Sequence, residues 1–384
     1  MFLYDLLILL VFVWLGRKLF QALKLPSLFG EVFAGVIAGP LVLGLVHETE
    51  AIKVLAELGV FFLMFHAGLE FDPKDIFKAS KRAMFVSIGN VIFSMSGGIL
   101  ISVLFDLPLE TGIFLGMVLS ITAVAVSARL FKDLKILQTK VAHTVMAAAV
   151  MTEVFILVAF SILLDLSQTG ELHAKLILFD IAKFIGYFAI VFYIGHKYFK
   201  QLYRIIYKGN KGFTFSIILA LAFGVSAELI GLHFIIGAFL AGLFLNNEMF
   251  DDKVFNKIED RSFGISYSFL APVFFASLAF HLDFSAVKAI PLMIGVTLLV
   301  DLVGKLFGTG LAAYFSGMKK IESIAVGVAM NSRGAVDLIL ASIALEEGVI
   351  GTEIFSMLVL IIFIATLFSA LGIKKLAPIL KVET

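Results

Sequence analysis

The stretch IPLMIGVTLLVDLVGKLFGTGLAAYF, residues 290–315, determines how the rest of the chain is interpreted. It is long enough to cross a bilayer core as one helix, which takes about 20 residues, yet it carries Asp301 and Lys305 near its centre. An ammonium group at that depth costs at least about 2.5–3.5 kcal/mol, and such residues are usually functional. A second apolar stretch, AHTVMAAAVMTEVFILVAFSILL at 142–164, carries a lone carboxylate, Glu153. A base and an acid on separate apolar helices indicate a site that handles ions and protons.

The composition is that of a polytopic membrane protein. The 384 residues are 61% hydrophobic and 15% charged, well below the ~25% charged residues of soluble domains, and the mean hydropathy is +1.06. The absence of cysteine excludes disulfides and thiolate metal sites. The first apolar segment has no basic n-region and no small-residue cleavage site, so it is predicted to be a mature helix. A net charge of +1 argues against a nucleic-acid partner, and without an HExxH, GxSxG or Walker motif we expect no enzyme activity and no cofactor.

Apolar runs of about 17–25 residues, the length that spans a bilayer core, predict thirteen transmembrane helices and an all-α fold. No Pro/Gly/Ser linker or charged tail marks off a soluble domain, so one transmembrane domain is expected over residues 1–384. The predicted helices extend over 3–21, 28–46, 52–70, 83–105, 110–130, 139–164, 178–199, 213–230, 232–247, 263–281, 287–316, 320–345 and 351–373.

The distribution of basic residues tests the helix count. With the N-terminus outside, 24 of the 30 Lys and Arg residues fall in cytoplasmic turns and the C-terminal tail, three fall outside, and three lie within helices. Cytoplasmic loops are enriched in Lys and Arg. A wrong helix count would distribute the basic residues over both sides of the membrane. The sequence therefore predicts a multi-pass plasma-membrane protein with its N-terminus outside and its C-terminus in the cytoplasm.

Glu153 lies midway along the sixth predicted helix and follows Thr152. Because burial disfavours a charged carboxylate, an embedded glutamate can hold a proton and a cation alternately. The other interpretation is a protonated or hydrogen-bonded glutamate of structural use. Glutamate is expensive at this depth, and this favours the functional interpretation.

Asp301 and Lys305 have i, i+4 spacing, which places them on one face of the eleventh predicted helix. In one interpretation the two charges neutralise each other and stabilise the bundle. In another, Lys305 exchanges partners between Asp301 and Glu153, or loses its own proton.

Two predicted helices carry polar residues at positions that favour a break in the helix. In the twelfth, AMNSRGAVDLILA (329–341) brings Asn331, Ser332 and Arg333 together, and Arg333 has i, i+4 spacing to Asp337. Such a segment fits a break whose backbone faces a cavity. In the fifth, LSITAVAVSA (119–128) offers hydroxyls for a second break, although hydroxyls often bond their own backbone; these are Ser120, Thr122 and Ser127.

Five blocks of the sequence resemble the cation:proton antiporter-2 family, which includes the Kef-, GerN- and NapA-type proteins. They occur in the family's order and extend over most of the chain. The blocks are KLPSLFGEVFAGVIAGPLVLGLV at 24–46, LAELGVFFLMFHAGLEFDP at 55–73, GLHFIIGAFLAGLFLNN at 231–247, FLAPVFFASLAFHLDF at 269–284 and AMNSRGAVDLILASIALEEGVI at 329–350.

This resemblance implies a homodimer whose protomers have interleaved dimerisation and core subdomains. It implies inverted repeats, with the fifth and twelfth helices broken and crossed as in the NhaA/NapA-like fold, and elevator-like alternating access. Lys305 falls at the family's core lysine and Glu153 at its ion-binding aspartate. The chain departs from the family in having Thr152 where many members have aspartate, and Ala335 where an acid often follows Arg-Gly. The Kef-type C-terminal nucleotide-binding domain is not expected, since no GxGxxG precedes Thr384.

The resulting hypothesis is an antiporter that exchanges Na⁺ or K⁺ for protons. Glu153 would bind the monovalent cation when ionised and the proton when neutral, with oxygens from Thr122, Thr152 and the backbone of the fifth helix, while Asp301 and Lys305 balance charge. The alternatives are a Kef-like potassium efflux pathway run by a regulatory subunit, a non-transporting ion sensor and a sodium-coupled solute symporter.

The predicted topology can be tested by labelling. A tag at residues 205–210 should react only with a reagent on the cytoplasmic side, and a tag at 168–172 only with one outside, because the basic residues place these turns on opposite sides. Labelling of intact and permeabilised cells measures this. The thirteen-helix topology would be contradicted by labelling of both tags from the same side.

Overall fold

The structure is a computed structural model that describes residues 2–23, 25–70, 81–169, 212–245 and 252–382, with eight further residues between 182 and 197. Within these ranges every regular element is a helix, as the apolar periodicity predicts. The helices of the N-terminal half are α1 Phe2–Ala22, α2 Ser27–Ala38, α3 Glu50–Glu70, α4 Lys81–Leu104, α5 Leu109–Ser120, α6 Val124–Asp133 and α7 Lys140–Thr169.

Among the described residues from 212 to 382 there are nine α-helices, one π-helical turn, Ser266–Leu270, which joins α10 to α11, and one 3-10 turn, Ala279–His281. The helices are α8 Gly212–Leu229, α9 Phe234–Phe244, α10 Asp252–Ile265, α11 Ala271–Leu278, α12 Phe284–Ala289, α13 Pro291–Phe315, α14 Lys320–Ala329, α15 Ala335–Glu346 and α16 Thr352–Val382.

Eight helical segments among the described residues are long and apolar enough to cross a membrane, and α2 and α9 are shorter apolar helices. Helix α2 ends at Ala38, well before the predicted residue 46, because Pro40 cannot continue a helix. The predicted span 178–199 and both proposed tag positions lie largely outside the described residues. The count of thirteen therefore stays a prediction.

The chain forms two compact units, each built from two separate stretches. The first unit comprises Met1–Pro73 and Gln168–Phe280, and the second comprises Lys74–Ser167 and His281–Thr384. Whether they serve as dimerisation and core subdomains of one transmembrane domain stays a prediction.

Within the first unit, α2 and α11 pack at backbone distance. A Cβ atom at Gly35 would lie 2.0 Å from the carbonyl oxygen of Ala276, so a larger residue cannot be accommodated there. The buried Glu31 of α2 also pairs with Arg17 of α1, at 3.3 Å between Oε1 and Nε. Arg17 in turn donates to the carbonyl oxygen of Tyr267, in the π-helical turn.

Within the second unit, α4 packs closely against α5. A Cβ atom at Gly98 of α4 would lie 2.2 Å from the backbone nitrogen of Gly116. This contact fixes α4 against the helix that ends at Ser120. Polar residues of α4 are thereby held beside the end of α5.

Candidate functional site

Two interrupted helices meet inside the second unit. Residues 121–123 separate α5 from α6, and residues 330–334 separate α14 from α15. The backbone N–H of Ala123 donates to the carbonyl oxygen of Ser332 at 2.9 Å, and the hydroxyls of Ser127 and Ser332 are hydrogen-bonded. The predicted breaks are confirmed, and these bonds join them.

Each break leaves backbone groups without helical partners. The last carbonyls of a helix carry partial negative charge, and its first N–H groups carry partial positive charge. In an apolar medium such groups need partners from the protein. Two fully buried cations, Arg333 and Lys305, face the carbonyls at the ends of α5 and α14.

The Arg333 side chain, which is 1% exposed, binds the end of α5. Its Nη1 donates to the carbonyl oxygens of Val118 at 2.5 Å and Ile121 at 3.0 Å. Its Nη2 donates to that of Leu119 at 2.9 Å. One guanidinium group therefore satisfies three carbonyls at the end of a half-helix, as its planar set of donors allows.

Two buried carboxylates balance this guanidinium. Nη2 of Arg333 forms an ion pair with Oδ1 of Asp301, and Nη1 lies 3.2 Å from Oδ1 of Asp337. The other Asp337 oxygen accepts from the backbone N–H of Gly334 at 2.8 Å, at the start of α15. The predicted pairing of Arg333 with Asp337 is confirmed, and Asp337 also caps a helix whose N-terminus favours negative charge.

Lys305 bridges the two breaks. Its Nζ donates to the carbonyl oxygens of Ile121 at 2.5 Å and Met330 at 2.7 Å, and to Oγ1 of Thr122 at 3.0 Å. An ammonium group has three N–H donors, and these three oxygens take all of them. The Thr122 hydroxyl donates in turn to the carbonyl oxygen of Met330 at 2.7 Å.

The predicted direct ion pair between Asp301 and Lys305 is wrong. Asp301 pairs with Arg333 of the break between α14 and α15, while Lys305 binds oxygens of both breaks. The i, i+4 spacing brings the two residues onto one face of α13, but stronger partners lie across the helix interface. That Asp301 and Lys305 balance charge in transport stays a prediction.

Thr152 and Glu153 are buried in α7, at 0% and 5% exposure. The Thr152 hydroxyl lies 2.9 Å from the carbonyl oxygen of Ala148 and 3.0 Å from Oγ of Ser87. Nδ2 of Asn90 approaches it at 3.5 Å and donates to the carbonyl oxygen of Ser120 at 2.6 Å. Asn90 thus connects the Thr152–Glu153 segment to the end of α5.

The remaining residues predicted at the breaks bond to nearby backbone. The Ser120 hydroxyl donates to the carbonyl oxygen of Met117 at 2.7 Å. Nδ2 of Asn331 donates to that of Gly327 at 2.9 Å. These contacts stabilise the ends of α5 and α14, and any role in ion binding stays a prediction.

Sequence reasoning missed Ser87 and Asn90 of α4. Both are buried, and they lie one helical turn apart on the same face, with Ser94 one turn further along. A fully buried asparagine within an apolar helix is the signal that would have identified the segment. Its partners come from two other helices, so spacing along the chain could not reveal them.

Comparison with known proteins gives a consistent result. The family model described as "Sodium/hydrogen exchanger, transmembrane" matches residues 6–377. The probable Na⁺/H⁺ antiporter GerT of Bacillus cereus is 30% identical over 94% of this chain and 95% of its own length. The Na⁺/H⁺ antiporter of Enterococcus hirae is 30% identical over 97% of each chain. The Na⁺/H⁺-K⁺ antiporter GerN of Bacillus cereus is 27% identical over 96% and 94%.

Among solved structures, the sodium proton antiporter MjNhaP1 from Methanocaldococcus jannaschii, determined at pH 8, superposes with a TM-score of 0.76. The alignment covers 98% of this chain and 97% of MjNhaP1 at 18% identity. This likeness confirms the predicted antiporter fold class.

The Asp301–Arg333 ion pair can be tested with double-mutant cycles. Asp301→Asn should destabilise the protein by about 3–5 kcal/mol, because it breaks a buried pair. The double-mutant cycle of Asp301→Asn with Arg333→Gln should give a coupling energy of about 0.5–3 kcal/mol. The cycle of Asp301→Asn with Lys305→Gln should give a smaller coupling energy. Thermal unfolding of the purified variants in detergent measures both couplings. A larger coupling to Lys305 would show that Arg333 is not the principal partner.

Proposed function

The chain belongs to the sodium/hydrogen exchanger family, and we propose that this multi-pass membrane protein exchanges Na⁺ or K⁺ for protons. The main support is the arrangement in the second unit, where two hydrogen-bonded helix breaks are surrounded by buried ionisable groups. Relatives with similarity over most of the chain are named as Na⁺/H⁺ and Na⁺/H⁺-K⁺ antiporters. Their names supply the candidate substrates.

Glu153 is the proposed shared site for the cation and the proton. It is buried in α7, directly after Thr152, whose hydroxyl approaches Asn90 and hence the end of α5. A buried carboxylate is costly as a bare anion. A proton and a monovalent cation each carry one positive charge, so either can neutralise the carboxylate. The two therefore compete for one position.

The fixed charges around the breaks support this assignment. Arg333 and Lys305 contribute two positive charges, and Asp301 and Asp337 contribute two negative charges, so the formal charges of the four cancel. Lys305 uses all three donors on oxygens of the breaks, which favours a fixed ammonium over a proton carrier. With Glu153 as the single exchanging group, one cation moves for one proton and turnover is electroneutral.

The transport cycle we propose is elevator-like alternating access. In it, the unit that carries Glu153 and both breaks moves as one body. The working assembly is a homodimer in the plasma membrane, with the N-terminus outside and the C-terminus in the cytoplasm. The bonds between the breaks, from Ala123 to Ser332 and from Lys305 to both sides, favour movement of the site as a whole.

Replacement of Glu153 by glutamine tests the shared site. Glu153→Gln should abolish cation-driven proton movement in proteoliposomes while leaving a folded protein, because a neutral amide replaces the buried acid without adding a desolvation cost. A pH dye inside the vesicles, with pulses of Na⁺, K⁺ or Li⁺, measures the exchange. Glu153→Asp should change cation affinity or preference with exchange retained.

Glu31→Gln is the matched control, since Glu31 is equally buried but lies in the first unit beside Arg17. It should retain exchange. Cation–proton exchange by purified Glu153→Gln protein would overturn the single-site mechanism. Wild-type protein that moves no protons in response to any of the three cations would overturn antiport itself.

A further inference from the structure

We propose that Asn90 of α4 supplies a ligand oxygen to the transported cation and sets the protein's preference among monovalent cations. This inference rests on the proposed function at Glu153. Asn90 lies on α4, a helix that the sequence analysis did not assign to the ion site.

The orientation of the Asn90 side chain is fixed by its contacts. The residue is 0% exposed, and its Nδ2 lies 2.6 Å from the carbonyl oxygen of Ser120. A carbonyl oxygen can only accept a hydrogen bond, so the NH₂ group must face Ser120. The amide oxygen Oδ1 is thereby directed away from that carbonyl.

Oδ1 of Asn90 is buried and has no hydrogen-bond partner among the described residues. Protein interiors leave few polar atoms in this state, and each one calls for an explanation. An amide oxygen is a good ligand for Na⁺ or K⁺, because carbonyl-type oxygens can replace the hydration shell of such ions. A cation that binds and leaves during transport would satisfy this atom intermittently.

The hydroxyls expected from sequence to complete the oxygen shell are already engaged. Thr122 donates to the carbonyl oxygen of Met330 and accepts from the ammonium group of Lys305. Thr152 contacts Ala148, Ser87 and Asn90 through its single oxygen. A hydroxyl has one proton and two lone pairs, so these contacts occupy the capacity of Thr152. They leave Thr122 one lone pair, beside the ammonium group of Lys305, which repels a cation. Asn90 offers an oxygen that is not occupied in this way.

Two other buried carboxylate or amide oxygens of the second unit lack hydrogen-bond partners among the described residues, but their surroundings are less suitable. Oδ2 of Asp301 belongs to a carboxylate already paired with Arg333, whose guanidinium repels a cation. Oδ1 of Asn331 belongs to a side chain that bonds to its own helix at Gly327. Asn90 differs from both because its amide contacts Thr152, the residue before Glu153.

A neutral ligand has a specific effect on exchange. It contributes a dipole to the bound cation and carries no charge of its own. Asn90 would therefore change the affinity and preference for cations, while the number of protons exchanged per cation stays the same. This combination distinguishes it from Glu153, whose loss removes exchange.

The test compares Asn90→Leu with Asn90→Asp in the purified full-length protein. Both variants remove the NH₂ donor to Ser120, but aspartate keeps an oxygen at the position of Oδ1. Asn90→Leu should raise the half-saturating concentration of Na⁺ or K⁺ about tenfold, equivalent to about 1.4 kcal/mol, and change the ratio between the two ions. Asn90→Asp should keep a half-saturating concentration at or below that of the wild type.

Two readouts are measured for each variant. One is exchange in proteoliposomes against Na⁺, K⁺ and Li⁺ concentration. The other is the rise in unfolding temperature that each cation produces in detergent, which reports binding without turnover. Ser94→Ala is the control, because the Ser94 hydroxyl also comes from α4 and donates to the end of α5, at Leu119. Its cation dependence should match the wild type. Asn90→Ala replaces Asn90→Leu if leucine prevents folding.

Equal loss of cation affinity in the leucine and aspartate variants would overturn the proposal and assign Asn90 a positioning role through its NH₂ donor. Unchanged half-saturating concentrations in the leucine variant would also overturn it. Failure of the proposed function gives different results: either wild-type protein exchanges no protons for any cation, or Glu153→Gln protein still exchanges them. Loss of exchange in Glu153→Gln with unchanged Asn90→Leu protein would refute the ligand role of Asn90 alone.

Discussion

A helix that stops inside a membrane leaves carbonyl groups that neither the helix nor the lipid can satisfy, and the second unit is built around this constraint. Helices α5 and α14 both end in the interior. Arg333 covers three carbonyls of the first, and Lys305 joins carbonyls of both. Cations are suited to this task because they donate hydrogen bonds and also oppose the partial negative charge of the helix ends.

The use of cations creates a second requirement, which is neutrality. An unbalanced charge in a dry interior is far more costly than an unpaired dipole, so Asp301 and Asp337 accompany Arg333. Asp337 does this from the start of α15, where a carboxylate is also favoured by the helix dipole. Lys305 is held by backbone oxygens and a hydroxyl instead. The buried charges around the breaks therefore divide into a fixed, neutral framework and the carboxyl group of Glu153, which we assign to exchange.

The sequence predicted the features that depend on local pattern. Polar residues within apolar runs located both breaks, and the i, i+4 spacing of Arg333 and Asp337 identified a pair that does form. The same spacing rule failed for Asp301, because its partner Arg333 lies in the break between α14 and α15, and spacing along one helix carries no information about other segments of the chain. The contacts of Asn90 with α5 and α7 were missed for the same reason. Helix ends were predicted less well where proline acts, as at the end of α2.

The bonds of Arg333 also bear on how the protein is made. Its partner Val118 precedes it by 215 residues. At a synthesis rate of roughly 5–20 residues per second, the end of α5 is complete about 10–40 s before the guanidinium that covers it is added to the chain. During that interval the nascent segment has to keep its carbonyls hydrated or inside the insertion machinery, since lipid cannot satisfy them. The second unit is thus completed late in biogenesis, when its C-terminal stretch enters the membrane and joins an N-terminal stretch that is already there.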